Sequence, residues 1–322
     1  MKQLGKIVKN VLPLAIGVFF IYLSIDATTP EDRKEILNAI STADYRFVIL
    51  SLICAVLSHL SRAYRWKFLL APLGYRPNFW NSTFSVMIAY LANLGVPRSG
   101  EFLRATVLSN YEKFSFEKVF GTVVAERIVD LVLLLMCILI ALSLQFEMIW
   151  SLIAPKVIGV EQLGIIALGS VGIFWLGFSL LRKNQNKVVV KIKTLLQGFW
   201  QGIKTLRQMP NKAAFIAHTL FIWAMYLAMF YFVKWAIPET VGLTLAMIVP
   251  AFVAGGLVIS ATNGGIGIYP YTIALVLEGF GLANKSGLAF GWIMWSSQTL
   301  MILVFGGLSF LALPLLNASR TR

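Results

Sequence analysis

At 322 residues the chain is 58% hydrophobic and 13% charged, with a mean hydropathy of +0.78 and a formal net charge of +14. Apolar runs of about 20 residues recur along the whole length, far more than a soluble core of this size buries, which excludes a soluble domain and makes this one transmembrane domain over 1–322. The basic excess is therefore sorted by loop rather than read as a nucleic-acid surface.

Residues 1–25 have the basic start and apolar run of a signal peptide, but Ile25 stands where cleavage before Thr28 needs a small residue, so they read as an uncleaved first helix. Full-length spans are expected at 7–25, 47–66, 119–146, 163–181, 213–235 and 287–313. Four shorter apolar pieces remain, 82–96, 100–112, 243–259 and 267–280, joined in pairs through Gly-rich breaks. At a rise of ~1.5 Å per residue each reaches about 20 to 25 Å, short of the ~30 Å hydrocarbon core. The pairs read as re-entrant hairpins; the alternative, one tilted piece of each pair crossing, gives an eight-helix count. The fold class is thus all-α and polytopic. Residues 186–208 carry an apolar stripe at helical spacing, Val188, Ile192, Leu195, Phe199 and Ile203, among lysines, and read either as a helix on the inner membrane surface or as a connector packed on neighbouring loops. Cys54 and Cys137 lie inside apolar runs, and two histidines, His59 and His218, make no metal cluster; both read as hydrogen-bonded helix residues.

Loop charges set the orientation. Lys2, Lys6 and Lys9 put the N-terminus inside; the acidic loop from Asp26 to Asp44 suits the outside. The loop with Arg62, Arg65, Lys67 and Arg76 and the stretch Arg182 to Lys212, with eight basic residues and no acid, fall inside, as do Arg320 and Arg322. The same count makes 47–146 and 213–313 upside-down copies, each an inverted half with a hairpin between two spans. Inverted repeats with broken helices meeting near the midplane are a transporter architecture.

The first break reads NLGVPRSGEFLR, Asn93 to Arg104. Ser99 is placed to cap a helix starting near Gly100, whose N-terminus, with Arg98 beside it, suits an anionic group. The competing reading is that Arg98 or Arg104 pairs with Glu101 or a neighbouring helix to hold the hairpin. The second break has Asn263, Gly264, Gly265 and Gly267 at its tip and Pro270 in the first turn of the next helix; consecutive glycines expose amides that can form an anion nest. Arg62 and Arg65 share a helical face, with Trp66 suited to the headgroup level. Glu126 and Asp130, four apart with Arg127 between, suit salt bridges to Arg62, Arg65, Arg98 or Arg104, with cation binding and proton coupling as alternatives. The mirrored stretch holds Trp292, Trp295, Ser296, Ser297 and Gln298, polar but uncharged.

In order, RxxRW at Arg62, VPRSGEFLR at Val96, ERIVD at Glu126 and TNGGIG at Thr262 resemble the lysylphosphatidylglycerol synthase transmembrane-region family, the flippase-like domain proteins. The resemblance implies lipid translocation and, with the chain ending at Arg322, a stand-alone member without the aminoacyl transferase that follows this unit elsewhere. It carries Arg62, Arg65, Pro97, Arg98, Gly100, Glu101, Arg104, Glu126, Arg127, Asp130, Gly264, Gly265 and Gly267 over as site residues. Where the family often has Glu after the glycines, this chain has Tyr269 and Pro270. No Walker motif occurs, so ATP is not the evident driver. The expected activity is movement of an anionic or aminoacylated phospholipid, or a polyprenyl-phosphate-type lipid, across the bacterial inner membrane. A lipid-dependent transferase and a lipid-binding accessory protein are the alternatives. No cofactor or metal is expected; the partners are membrane lipids and a separate lipid-modifying enzyme.

Overall fold

The structure, a computed structural model, describes residues 29–146 and 203–318 except Pro97 and Asn263, together with 197, 200 and 201. The expected spans 7–25 and 163–181, most of the 186–208 segment, and both chain ends lie outside the described residues. Those described form helices joined by turns: α1 (Pro30–Ser41), α2 (Tyr45–Leu70), α3 (Phe79–Gly95), α4 (Ser99–Glu112), α5 (Phe116–Leu144), α6 (Lys212–Val233), α7 (Leu245–Ala261), α8 (Ile268–Glu278) and α9 (Asn284–Asn317).

Four helices, α2, α5, α6 and α9, are long and apolar enough to cross a membrane, and they fall where the hydropathy pattern places spans. The remaining apolar helices are short. With 17, 14, 17 and 11 residues, α3, α4, α7 and α8 run only ~16 to 25 Å. α3 packs along α4, and α7 along α8, so each break turns the chain back on itself. α9 is longer than its expected span, running 34 residues through Pro314.

The acidic segment expected as a loop contains α1 instead, because Ile36, Ala39 and Ile40 recur at helical spacing and pack on the core beneath. Glu35 pairs with Lys285 at the start of α9. Asp44 caps α2, accepting the Arg46 backbone N–H at 3.1 Å, and its own N–H donates to the Ala236 carbonyl at 2.9 Å. The Arg46 guanidinium bonded to it holds the Asp44 carboxyl below the usual range.

The two larger apolar cores sit at opposite ends, with a small third cluster of Ala141, Val249 and Val253 between α5 and α7. One joins α1, the start of α2 and α6 to α9 through Phe230, Ile237, Ile273, Phe290 and Met294. The other joins the end of α2 and of α4 to the starts of α5 and α6 through Trp66, Leu69, Leu108, Val119 and Phe215. The described end of the linker belongs to this second core: residues 203–208 are helical, with Leu206 and Met209 packed against it. That favours a packed connector for this part of the segment.

α9 crosses the first hairpin closely. A Cβ on Gly306 would stand 2.8 Å from the Leu91 Cβ and 3.2 Å from the Met87 carbonyl oxygen, so a small residue is needed there. Asn317 at the far end exchanges hydrogen bonds with Asn81 at 2.8 and 3.1 Å, and the Asn81 amide also donates to Glu112 at 2.6 Å. Between the two cores the helix breaks meet: a Cβ on Gly264 would lie 2.9 Å from the Leu94 side chain.

Candidate functional site

Three helices bring their charges to one buried point. Glu126 of α5, fully buried, has Oε1 2.6 Å from Arg62 Nη1, 2.9 Å from Arg104 Nη1 and 3.1 Å from Arg65 Nη2. Asp130, one turn on, accepts from Arg62 at 2.9 Å and from Arg65 at 3.1 and 3.2 Å. Arg127 lies 3.5 Å from Asp130 and 3.8 Å from Glu101, with a half-exposed side chain. The i, i+3 arginines on α2 and the i, i+4 acids on α5 thus face each other, which is what their spacing permits. Salt bridging is therefore the observed use of the two carboxylates, with one correction to the partners: Arg98 takes no part.

The charges do not cancel. Arg62, Arg65, Arg104 and Arg127 face Glu101, Glu126 and Asp130, four positive groups to three negative. Arg62 stands eight residues before the end of α2, some ~12 Å in from that end. Charge at such depth is costly unless paired or serving a ligand or water path. The Nε atoms of all four arginines and Oε2 of Glu101 are buried without a hydrogen-bond partner among the described residues. A cavity of about 50 Å³ opens beside them, lined by Arg62, Tyr90, Asn93, Gly100, Glu101, Arg104 and Arg127. It sits against the first turn of α4, so the positive end of that helix adds to the arginines.

Several partners in this cluster carry no sequence signal. Tyr226 of α6 accepts from Arg62 at 3.1 Å and meets Tyr90 of α3 at 3.2 Å between hydroxyls; Thr219 accepts from Arg65 at 2.7 Å. Each sits in an apolar run where a single hydroxyl looks incidental. Trp66 is fully buried rather than lipid-facing, because Arg104 lies 3.9 Å over its ring and its Nε1 donates to Thr122 at 2.9 Å.

At the first break, Ser99 does not cap α4. Asn93, from the end of α3, reaches across to accept the Gly100 N–H at 2.7 Å, while the Ser99 hydroxyl donates back to the Val96 carbonyl at 2.8 Å. Ser99 is the first helical residue, and a hydroxyl there points back at the preceding turn. Gly100 is required by contact: a Cβ would stand 2.2 Å from the Ala89 carbonyl oxygen. Arg98 has a left-handed backbone, φ 58°, is exposed, and its Nη2 donates to the Ser260 carbonyl of α7 at 3.3 Å. It links the two breaks rather than joining the buried cluster.

The second break is held differently. Gly264, Gly265 and Gly267 have φ of 64°, 75° and 71°, conformations that favour glycine, and the Gly264 carbonyl accepts from Trp295 Nε1 at 2.8 Å. Pro270 lies in the first turn of α8, against Gly291, where a Cβ would be 2.6 Å from the Pro270 Cα. Tyr269, standing where the family often has Glu, is 3% exposed and packed on Gly255 in the apolar core. Of the histidines, His218 shares a hydrogen bond with Ser61 at 2.8 Å. His59 instead packs against Tyr90 with ring centres 4.3 Å apart and planes tilted by 53°, its Nδ1 without a partner among the described residues. No group of three or more potential metal ligands occurs among the described residues.

Comparison with known proteins places this geometry in context. The chain is 34% identical over 128 residues to the UPF0104 membrane protein MJ1595 of Methanocaldococcus jannaschii, covering 39% of this chain and 37% of that one. It is 27% identical over 119 residues to Glycosyltransferase AglD of Haloferax volcanii, covering 37% of this chain and 18% of that protein. The matched stretch thus spans well under half the length of either relative. No solved structure matches the chain. Residues 10–307 match the family described as the lysylphosphatidylglycerol synthase TM region, and the chain belongs to that family.

Proposed function

We propose that this multi-pass membrane protein translocates a lipid across the bilayer, its anionic headgroup passing between the two helix breaks. The observation that carries this reading is the buried cluster of Arg62, Arg65 and Arg104 against Glu126 and Asp130, rimmed by the half-exposed Arg127 and Glu101 beside the broken α4 helix, with one positive charge in excess. An anionic phosphate suits that excess, since guanidinium groups and a helix N-terminus bind phosphate oxygens in concert. The substrate class is an anionic or aminoacylated phospholipid, or a polyprenyl-phosphate-type lipid. A 50 Å³ cavity holds a few waters and not a headgroup, so passage requires the breaks to part.

In this reading six spans frame two re-entrant hairpins in an inverted repeat, 47–146 and 213–313, with both termini cytoplasmic in a bacterial inner membrane. The short lengths of α3, α4, α7 and α8 and the contact between their breaks support it. The arginine cluster then opens to the cytoplasmic half, and the lipid is captured from that side.

A lipid-dependent transferase is the competing reading, to which the name of the Haloferax relative points. The geometry argues against it: Glu126 Oε1 lies within 3.1 Å of three arginines, so this oxygen is already taken up by structural ion pairs and faces no open acceptor site. The experiment is transbilayer movement of labelled lipids in proteoliposomes. Movement by the native protein and its loss in Arg98→Ala support translocation; product formation in detergent that Glu126→Gln abolishes would support the enzyme.

A further inference from the structure

Away from the arginine cluster, a second cavity lies between α2 and α6. It is an open groove of about 490 Å³ lined by Leu57, Tyr64, Phe79, Ala217 and Phe221, with Ser61 and His218 in its wall. The lining is apolar and open. Leu57, Tyr64, Phe79 and Phe221 are each 37% to 41% exposed, and the one polar pair, Ser61 and His218, is satisfied internally at 2.8 Å. Nothing in this wall asks for a polar ligand; it asks for hydrocarbon.

The end of the groove is different. Lys67, in the last turn of α2, holds its ammonium 3.3 Å from the centre of the Tyr64 ring and 5.1 Å from that of Phe68. Among the described residues it pairs with no carboxylate, unlike Arg65 two positions earlier, which turns inward to Asp130. An apolar channel whose wall residue Tyr64 carries a lysine ammonium on its ring, with no carboxylate paired to that lysine among the described residues, has the polarity of a phospholipid: chain along the wall, phosphate at the cation. A second copy of this chain fits less well, because a symmetric seam would bring two Lys67 ammonium groups together.

We infer that this groove is a binding site for a resident anionic phospholipid, its acyl chain along Leu57, Tyr64 and Phe221 and its phosphate on Lys67. The site is separate from the proposed translocation path. Ser61 and Tyr64 of α2 line the groove, while Arg62 and Arg65 reach the buried cluster.

Native mass spectrometry of the full chain, released from nanodiscs of equal phosphatidylglycerol and phosphatidylcholine, tests this directly. The native protein should keep one phospholipid, phosphatidylglycerol favoured about fivefold, the factor one lysine near a headgroup supplies. Lys67→Gln, a half-buried position whose loss leaves the packing intact, should still keep a lipid but lose the preference. Ala217→Trp, which fills the groove, should lose the lipid; its elution on size exclusion controls for folding. Release of the bare native chain, a dimer without lipid, or a charge preference unchanged in Lys67→Gln would overturn the assignment. None of these outcomes depends on whether lipids are moved.

Discussion

The two helix breaks face each other, yet they are built from opposite materials. The break between α3 and α4 is made by side chains: Asn93 caps the returning helix, Arg98 bridges to α7, and Glu101 and Arg104 lead into the buried ion cluster. The break between α7 and α8 is made by backbone: three glycines at positive φ, a carbonyl held by Trp295, and an apolar Tyr269. One break carries the charge and the other supplies a close-fitting neutral surface. On the proposed reading of two inverted halves, this asymmetry assigns ligand affinity to the first half and closure to the second.

The largest test of that division is Glu126→Gln. It strands Arg62, Arg65 and Arg104 around a neutral group, and removing one partner of a buried ion cluster costs about 3 to 5 kcal/mol. Gln298→Ala in α9, where Nε2 has no partner among the described residues, should leave stability within about 0.5 kcal/mol. Denaturant titration in detergent measures both, and equal losses would erase the contrast.

Next come the glycines. Gly100→Ala drives a methyl into the Ala89 carbonyl, an overpacking of about 1 to 3 kcal/mol that α3 must move to relieve. Gly267→Ala strains the backbone, by about 1 to 3 kcal/mol at φ 71°. Trp295→Phe should cost about 0.5 to 1.5 kcal/mol by releasing the Gly264 carbonyl. The smallest effect lies at the other end of α2. The lowered Asp44 carboxyl stabilises the cap fully above the ordinary carboxylate range, and this is lost as pH falls through its lowered value. Asp44→Asn should flatten that acid step in an unfolding series.

Much of this was legible in the sequence because membrane spans are written in long, one-dimensional signals. α2, α5, α6 and α9 lie on the expected spans, and the short lengths of α3, α4, α7 and α8 follow from where the glycines interrupt the apolar runs. The meeting of Arg62 and Arg65 with Glu126 and Asp130 was legible too, since charges in hydrocarbon must find each other. The rest depends on rotations about helix axes that periodicity does not fix. Trp66 next to RxxR looks like an interface anchor, but α4 brings Arg104 onto its ring and buries it. Ser99, just before the expected helix start, reads as its cap, and only the return angle of α4 brings Asn93, seven residues earlier, to the Gly100 N–H instead. Tyr226 and Thr219 matter because α6 lies against α2, a pairing across more than 150 residues of chain.

The central claim is that a lipid headgroup crosses between the breaks, and Arg98 is where it is most exposed to test. The residue is exposed and, among the described residues, its side chain bonds to one carbonyl, so Arg98→Ala should fold with stability within about 0.5 kcal/mol of native. The measurement is transbilayer movement of labelled anionic phospholipids, an aminoacylated phospholipid and a polyprenyl phosphate in proteoliposomes of the native protein and this variant. The account predicts movement of one of these classes by the native protein and its loss in Arg98→Ala. Absence of movement of every lipid by the native protein, with and without an ion gradient, would contradict it.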